Sequence, residues 1–253
     1  MPAANTDLPR LYFETLQGDR IPSVTEPEMR TVDRIAEDRF SLSVLQMMEN
    51  AGRNLALHAM QFGLKAGRIV VLAGPGGNGG GGLSCTRHLH NHGFHVDLLL
   101  THDPDTLRGP AATQYRILKE AGLQNQDPAA LPTLLSGAAL IIDALLGYSL
   151  KGPPRGLFHE FIVASNESSI PILSLDLPSG TDATTGEMPG VAISPARTLT
   201  LALPKRGLRD IPGQLFLGDI GIPPELYQHL GIDLKPAFTE NYWVELVVPG
   251  PNS

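Results

Sequence analysis

The sequence predicts an α/β protein built on a mostly parallel β-sheet with helices on both faces. Short runs rich in valine, isoleucine and leucine recur along the chain, and segments with helical periodicity separate them. Buried parallel strands have such near-continuous apolar runs, because helices cover both faces of their sheet. The glycine-rich and polar motifs also follow the ends of these runs, where parallel sheets bind their ligands.

The elements can be predicted in chain order. Residues 1–24 are mixed and polar, so we expect an irregular arm there and a single domain over residues 25–253. A helical pattern begins near residue 27, and Leu42, Leu45, Met48 and Leu55 fit one apolar face. The predicted strands are residues 68–73 and 95–101, with further strands inside 139–147, 171–180, 198–205 and 214–223. Helices are predicted at LSCTRHLHNHG, GPAATQYRILKEAG, RGLFHEFIVASN and PELYQHL.

Composition and charge exclude several classes of protein. The formal charge of −7 argues against a nucleic-acid-binding protein that works through a general basic field. No run approaches the ~20 apolar residues of a membrane span, and the N-terminus does not resemble a signal peptide. Cys85 is the only cysteine, which suits a reducing compartment and a buried side chain. We therefore expect a cytoplasmic protein that binds neither nucleic acid nor membranes.

The motif GPGGNGGGG at residues 74–82 follows the first predicted strand and allows two interpretations. A glycine loop before a helix lets backbone N–H groups approach an anion such as a phosphate. Alternatively, the glycines allow positive φ angles and tight contact between helix and strand. The spacing matches G-x-G-x-x-G, but no acidic residue ends the second strand and the Walker lysine is missing. The missing acidic residue argues against an NAD-dependent oxidoreductase.

Oxygen-bearing side chains lie in three of the strand-end motifs. Asp143 and Asp176 end apolar runs, Ser179 follows in LPSG, and Asn78 lies among the glycines. These residue types are common caps and turn formers. If they share one edge of the sheet, their hard oxygen atoms suit a monovalent or divalent cation better than zinc.

Six stretches of the chain together resemble one known family. They are LQMMENAGR, VLAGPGGNGGGGLSCTRHLHNHGFHV, IIDALLGYSLKGPPRG, SLDLPSGTDATTGE, LTLALPKRGL and GDIGIP. Several motifs in the family's order are far more specific than any one motif. Over about residues 25–225 the chain is similar to the YjeF N-terminal domain family. These proteins are the NAD(P)H-hydrate epimerases, related to apolipoprotein A-I-binding protein.

The resemblance implies a Rossmann-like three-layer α/β/α domain, a homodimer and an isomerase. The implied reaction interconverts the R and S forms of hydrated NADH or NADPH and so repairs a damaged cofactor. A potassium ion is implied, held by Asn78, Asp143 and Ser179, and Asp176 is implied as the proton-transferring acid. The implied substrate-binding residues are Gly77, Asn78, Gly79, Gly80, Gly81, Gly147, Tyr148, Ser149, Leu150, Lys151, Gly152, Pro153 and Asp176.

Three residues depart from the family's pattern. The family's loop reads N-N-G-G-D-G, so Gly77 replaces an asparagine and Gly81 replaces an aspartate. Tyr148 replaces a small threonine, which we expect to narrow the pocket. The departures leave two hypotheses besides the oxidoreductase. One is an active epimerase with altered contacts, and the other is a catalytically altered or inactive scaffold that binds a nucleotide or a partner protein.

Overall fold

A computed structural model of the chain describes residues 10–63, 67–235 and 237–249. Numbered along the chain, the strands are β1 (Tyr12–Thr15), β2 (Arg20–Pro22), β3 (Arg68–Ala73), β4 (Val96–Leu100), β5 (Ala138–Ala144), β6 (Ile172–Leu175), β7 (Arg197–Leu201), β8 (Gln214–Gly218) and β9 (Trp243–Val247). They form one sheet in the order β2-β1-β9-β8-β7-β6-β5-β3-β4. From β8 to β4 every neighbouring pair is parallel, whereas β9, β1 and β2 add antiparallel strands at the other edge.

The α-helices connect and flank these strands. They are α1 (Glu26–Phe40), α2 (Val44–Met60), α3 (Gly77–Asn91), α4 (Gly109–Glu120), α5 (Leu131–Leu135), α6 (Leu157–Glu167) and α7 (Pro224–Tyr227). Both α1 and α2 begin at a capping box, in which Thr25 or Ser43 exchanges hydrogen bonds with the residue three positions later. None of the helices in the described part of the chain combines the length and the apolar character that crossing a bilayer requires.

The central strands separate two apolar layers. Successive strand residues face opposite sides, so Ile69 and Val71 pack beneath α2, α3 and α4, whereas Val70 and Leu72 pack against α5 and α6. All four side chains are fully buried. The predicted three-layer arrangement with a mostly parallel sheet is confirmed.

The expectation of an irregular arm over residues 1–24 was wrong for the described part of that segment. Residues 12–15 and 20–22 form a hairpin, with Gly18 at a φ of 89° in the turn. Phe13 and Ile21 are buried and anchor the hairpin to the core. The strands are only four and three residues long, too short for their alternation to stand out in a polar segment. Residues 1–9 lie outside the described residues.

The glycine motif is largely helical, because α3 begins at Gly77. Only residues 74–76 connect it to β3. A Cβ atom at position 82 would lie 2.6 Å from the Cβ of Ala144, and one at position 79 would collide with the Gly74 carbonyl oxygen. None of the glycines from 74 to 82 has a positive φ. Of the two interpretations of this motif, tight helix–strand contact therefore accounts for the later glycines.

The parallel strands bring the remaining motifs to one edge of the sheet. Asp143 is the last but one residue of β5, and Asp176 directly follows β6. Lys205 lies four residues beyond β7, and Gly77 opens the helix that follows β3. Carboxyl ends of parallel strands meet at the same edge, which is where a ligand site forms in such sheets.

Candidate active site

A cleft of about 560 Å³ opens above the carboxyl ends of β3, β5 and β6. Several parts of the chain form its walls, among them α1, α2, the start of α3 and the carboxyl edge of the sheet. Helix α1 contributes Asp33, the start of α3 contributes Gly77 and Asn78, and the sheet edge contributes Asp176 and Lys205. A second cavity of about 690 Å³ adjoins the first and shares Leu146, Ser149 and Phe158 with it.

The predicted loop at residues 147–153 lies between the two cavities. Gly147, Tyr148 and Ser149 line the first cavity, and residues 149–153 line the second. The loop is therefore placed to contact both ends of an extended ligand.

The other predicted loop, residues 77–81, contributes only part of its length. Gly77, Asn78 and Gly81 line the first cavity, together with Gly76, which the sequence prediction did not include. Gly79 and Gly80 are buried within α3 and are not among the lining residues of either cavity. The family resemblance implied that they contact substrate, whereas here their missing side chains leave room for the Gly74 backbone and the Met48 side chain.

The start of α3 has the features that suit an anion. The residue before the helix, Gly76, has no side chain that caps the first turn. The first N–H groups of a helix have no partner inside it, and the helix dipole makes this end positive. A Cβ atom at position 76 or 77 would meet no atom of the described residues within 4 Å, so this end of the helix is open.

Asp143, Ser179 and Asn78 form one connected hydrogen-bond network. The Ser179 hydroxyl donates to Asp143 Oδ1 over 2.5 Å, and the Ser179 backbone N–H donates to Asp143 Oδ2 over 2.9 Å. The Leu146 backbone N–H donates to Ser179 Oγ, and Asn78 Nδ2 donates to the Leu146 carbonyl oxygen over 3.0 Å. The three residues predicted as cation ligands are thus brought together around the backbone N–H and C=O groups of Leu146.

The donor set of this network suits a hard cation with low charge. Asp143 is fully buried, and that burial raises the pKa of its carboxyl against the opposing effect of the Ser179 hydrogen bonds. The described residues hold no cluster of three or more His, Cys, Asp or Glu side chains that suits a metal. One carboxylate with hydroxyl, amide and carbonyl oxygens nearby is a set that an alkali cation accepts and zinc does not favour.

Asp176 is held rigidly at the bottom of the cleft. Its φ of 66° lies in the left-handed region, a strained conformation for a residue other than glycine. The Leu201 N–H and the Thr200 hydroxyl donate to its Oδ1, and Lys205 Nζ forms an ion pair with the same oxygen. Three donors on one oxygen fix the direction in which the carboxylate points.

Lys205, in the motif PKRG that follows β7, lines the first cavity. Its side chain is 1% exposed, and Nζ also donates to the Leu201 carbonyl oxygen over 2.8 Å. A buried ammonium ion needs a charged partner, and Asp176 supplies it. A basic residue after a strand looks the same in the sequence whether it is solvated or paired, so no sequence pattern indicated this contact.

Asp33 on α1 is a lining residue that sequence reasoning missed. Tyr148 donates its hydroxyl to Asp33 Oδ2, and both side chains face the first cavity. Burial raises the pKa of Asp33, and the negative charge of Asp176 adds to that effect. Burial likewise raises the pKa of Tyr148. In the sequence, Asp33 is one of several acidic residues on an amphipathic helix, which normally indicates a solvated face.

Several proteins that are similar to this chain in sequence carry related names. The chain is 44% identical to the NAD(P)H-hydrate epimerase of Dehalogenimonas lykanthroporepellens, over 93% of this chain and 97% of that protein. It is 33% identical to the NAD(P)H-hydrate epimerase of Rhodopirellula baltica, over 84% and 90%. It is also 36% identical to the bifunctional NAD(P)H-hydrate repair enzyme Nnr of Hyperthermus butylicus, where it covers 40% of that longer protein.

Comparison with a solved structure and with family models agrees with the sequence matches. The crystal structure of yeast YNL200c superposes with a TM-score of 0.79 over 88% of this chain and 99% of that one. Its 24% identity supports the fold alone. The model of the family described as YjeF-related protein N-terminus matches residues 44–207. Because this match spans more than half of the sequence, the chain belongs to the YjeF N-terminal family.

Proposed function

We propose that the chain is an NAD(P)H-hydrate epimerase, an isomerase that interconverts the R and S forms of hydrated NADH and NADPH. The names of the relatives support this function. The observation that carries it is the strained, buried Asp176, which Lys205 and two further donors orient into the cleft at the strand ends. Such a carboxylate in a ligand-sized cleft is typical of a proton-transferring group.

The reaction requires two proton transfers, one to the hydroxyl group that leaves and one from the water molecule that adds. The hydrate carries a hydroxyl group on the ring carbon beside the nitrogen. When that hydroxyl is protonated, the carbon–oxygen bond breaks, water leaves with the electron pair, and the nitrogen lone pair stabilises the planar cation. Water then adds to the other face and gives up a proton. A positioned acid–base group contributes about 10²–10⁴-fold to such a step.

The two adjoining cavities suit a dinucleotide. The first cavity contains the proton-transferring group and the open start of α3, which favours a phosphate. The second, lined by Lys151 and Arg155, offers room and positive charge for the rest of the molecule. Ser149 lines both cavities, so the loop at 147–153 can bridge the two ends of the substrate.

Asn78, Asp143 and Ser179 would hold the potassium ion proposed for this family member. When bound, the ion supplies a positive charge that offsets the buried Asp143 carboxylate and orders the adjoining phosphate-binding surface. Asp143 accepts hydrogen bonds through both of its oxygens and is fully buried, which motivates this assignment. The homodimer and the cytoplasmic location stay predictions.

An epimerisation assay tests the proposed function. One purified epimer of hydrated NADPH is incubated with the protein in potassium buffer, and chromatography follows the appearance of the other epimer above the protein-free rate. We expect acceleration by the native chain and a loss of about 10²–10⁴-fold in Asp176→Asn. The matched control is Asp210→Asn at an exposed position, which we expect to keep full activity. If the native chain does not accelerate the exchange, it is not an epimerase.

A nucleotide-binding scaffold without turnover is the second candidate, and Leu175 is the observation that favours it. Leu175 Cδ2 would lie 2.6 Å from a Cβ at position 81, so leucine occupies the space of the aspartate expected there. The same assay separates the candidates, because a scaffold binds NADPH in a titration yet leaves the epimer ratio at its protein-free rate.

A further inference from the structure

Three carboxyl groups line the first cavity: Asp176, and Asp33 and Glu37 of α1. Glu37 is exposed, whereas Asp33 is half-buried. Asp33 enters from α1, whereas Asp176 enters from the sheet edge, and both line the same cavity. The two side chains are close enough for the charges of Asp176 and Lys205 to shift the pKa of Asp33 in opposite directions. Asp33 and Asp176 thus face the same cavity from different walls.

Asp176 alone is poorly suited to serve both faces of a ring. The Lys205 ammonium, the Thr200 hydroxyl and the Leu201 N–H all bind its Oδ1, and its side chain is almost fully buried. A carboxylate fixed in this way cannot move around a bound ring. The two epimers carry their hydroxyl groups on opposite faces, so the second face needs a group on the other side of the ligand.

Asp33 also has a hydrogen bond that orients its carboxyl group in the cavity. The Tyr148 hydroxyl donates to its Oδ2, and Arg30 lies 5.7 Å from the centre of the Tyr148 ring. Arg30 also donates to the Ser149 hydroxyl over 3.2 Å and pairs with Glu26. These contacts hold Tyr148, and through it Asp33, from behind the cavity wall.

We propose that Asp33, oriented by Tyr148, is the second acid–base residue of the epimerase, acting on the ring face opposite Asp176. One carboxylic acid protonates the leaving hydroxyl, and the carbon–oxygen bond breaks to release water and the planar cation. A new water molecule then bonds to the opposite face and transfers its proton to the other carboxylate. The reverse reaction exchanges the two roles, so protons and electrons balance in both directions. This inference rests on the proposed function.

Oxygen exchange distinguishes two groups from one. Each epimer is incubated in ¹⁸O-labelled water with the native chain, Asp33→Asn, Tyr148→Phe or the control Asp38→Asn, which changes an exposed residue of the same helix. Mass spectrometry of the separated epimers then reports inversion and label uptake together, above the protein-free rate. Circular dichroism checks that each variant is folded.

A two-group mechanism gives an asymmetric result. We expect Asp33→Asn to lose about 10²-fold or more in inversion. One epimer still takes up label without inverting, because Asp176 can expel the hydroxyl and return water on its own face. In Asp176→Asn, the other epimer should still take up label without inverting. Tyr148→Phe, which removes one hydrogen bond to Asp33, should slow inversion about tenfold.

Other outcomes overturn the inference. Inversion at the native rate in Asp33→Asn means that Asp176 serves both faces. Equal loss of label uptake in both epimers means that Asp33 only supports the structure. If Asp33→Asn does not fold, Tyr148→Phe decides the question. Label uptake and inversion at the native rates by Tyr148→Phe, in both epimers, would contradict the proposal. If the native chain does not accelerate epimerisation at all, the proposed function is contradicted, and the role of Asp33 is contradicted with it.

Discussion

Individual residues of α3 show that missing side chains serve two different purposes. At Gly77 the space beyond the Cα atom is open and faces the cleft, so the glycine leaves the backbone accessible to a ligand. At Gly79 the same space is filled by the Gly74 carbonyl group, so the glycine permits close packing. Two glycines of one motif, two positions apart, therefore have different physical roles, which the sequence alone could not separate.

This difference predicts opposite effects of the same substitution. Gly79→Ala should lower the free energy of unfolding by about 3 kcal/mol or more, because a backbone atom must move. Gly77→Ala should be neutral or stabilise by about 0.5–1 kcal/mol, since alanine loses less conformational freedom on folding. Urea denaturation of both variants measures the difference, and equal midpoints would contradict the packing of α3 described above.

At the scale of elements, the sequence predicted the parts whose apolar runs are long. Strands β3 to β8 were all predicted, because buried parallel strands have nearly continuous apolar residues. The antiparallel edge was not, since β1 and β2 are very short and β9 was not recognised at all. Their pairing depends on the partner β8 and on each other, which is long-range information.

The site residues that could be predicted from the sequence are those at the ends of predicted strands. Asp143 lies at the end of β5, and Asp176 and Ser179 follow β6, so their convergence could be predicted from topology alone. Asp33 comes from α1, and no local pattern says which face of an amphipathic helix will cover a cleft. The Lys205–Asp176 pair joins residues 29 positions apart and appears only in three dimensions.

At the scale of the whole molecule, His58 joins the helical layer to the part of the sheet where parallel pairing changes to antiparallel pairing, between β8 and β9. Its ring on α2 contacts Phe216 of β8 and Trp243 of β9, with ring centres 4.8 Å and 4.7 Å apart. Neither ring nitrogen has a hydrogen-bond partner within the described residues. Burial, assisted by the charge of Arg197, lowers the pKa of His58 to about 3.

This burial predicts acid sensitivity. The folded-state pKa lies below the unfolded value of 6.5, so the unfolded chain binds the proton more readily as pH falls through that window. From pH 7 to pH 5 the native chain should lose about 2 kcal/mol of unfolding free energy that His58→Leu does not lose. His90→Leu, the same change at an exposed histidine, should behave like the native chain. Urea denaturation at both pH values measures the loss, and an equal loss in His58→Leu would show that His58 is not responsible.

The central claim is that one cleft at the strand ends binds the nicotinamide ring between carboxyl groups. A crystal structure with NADP⁺, an unreactive stand-in for the hydrate, tests it most directly. The account predicts the ring between Asp176 and Asp33, with at least one carboxylate oxygen within about 3.5 Å of the ring edge, and a phosphate at the start of α3. A nucleotide bound with its ring outside this cleft would contradict the account.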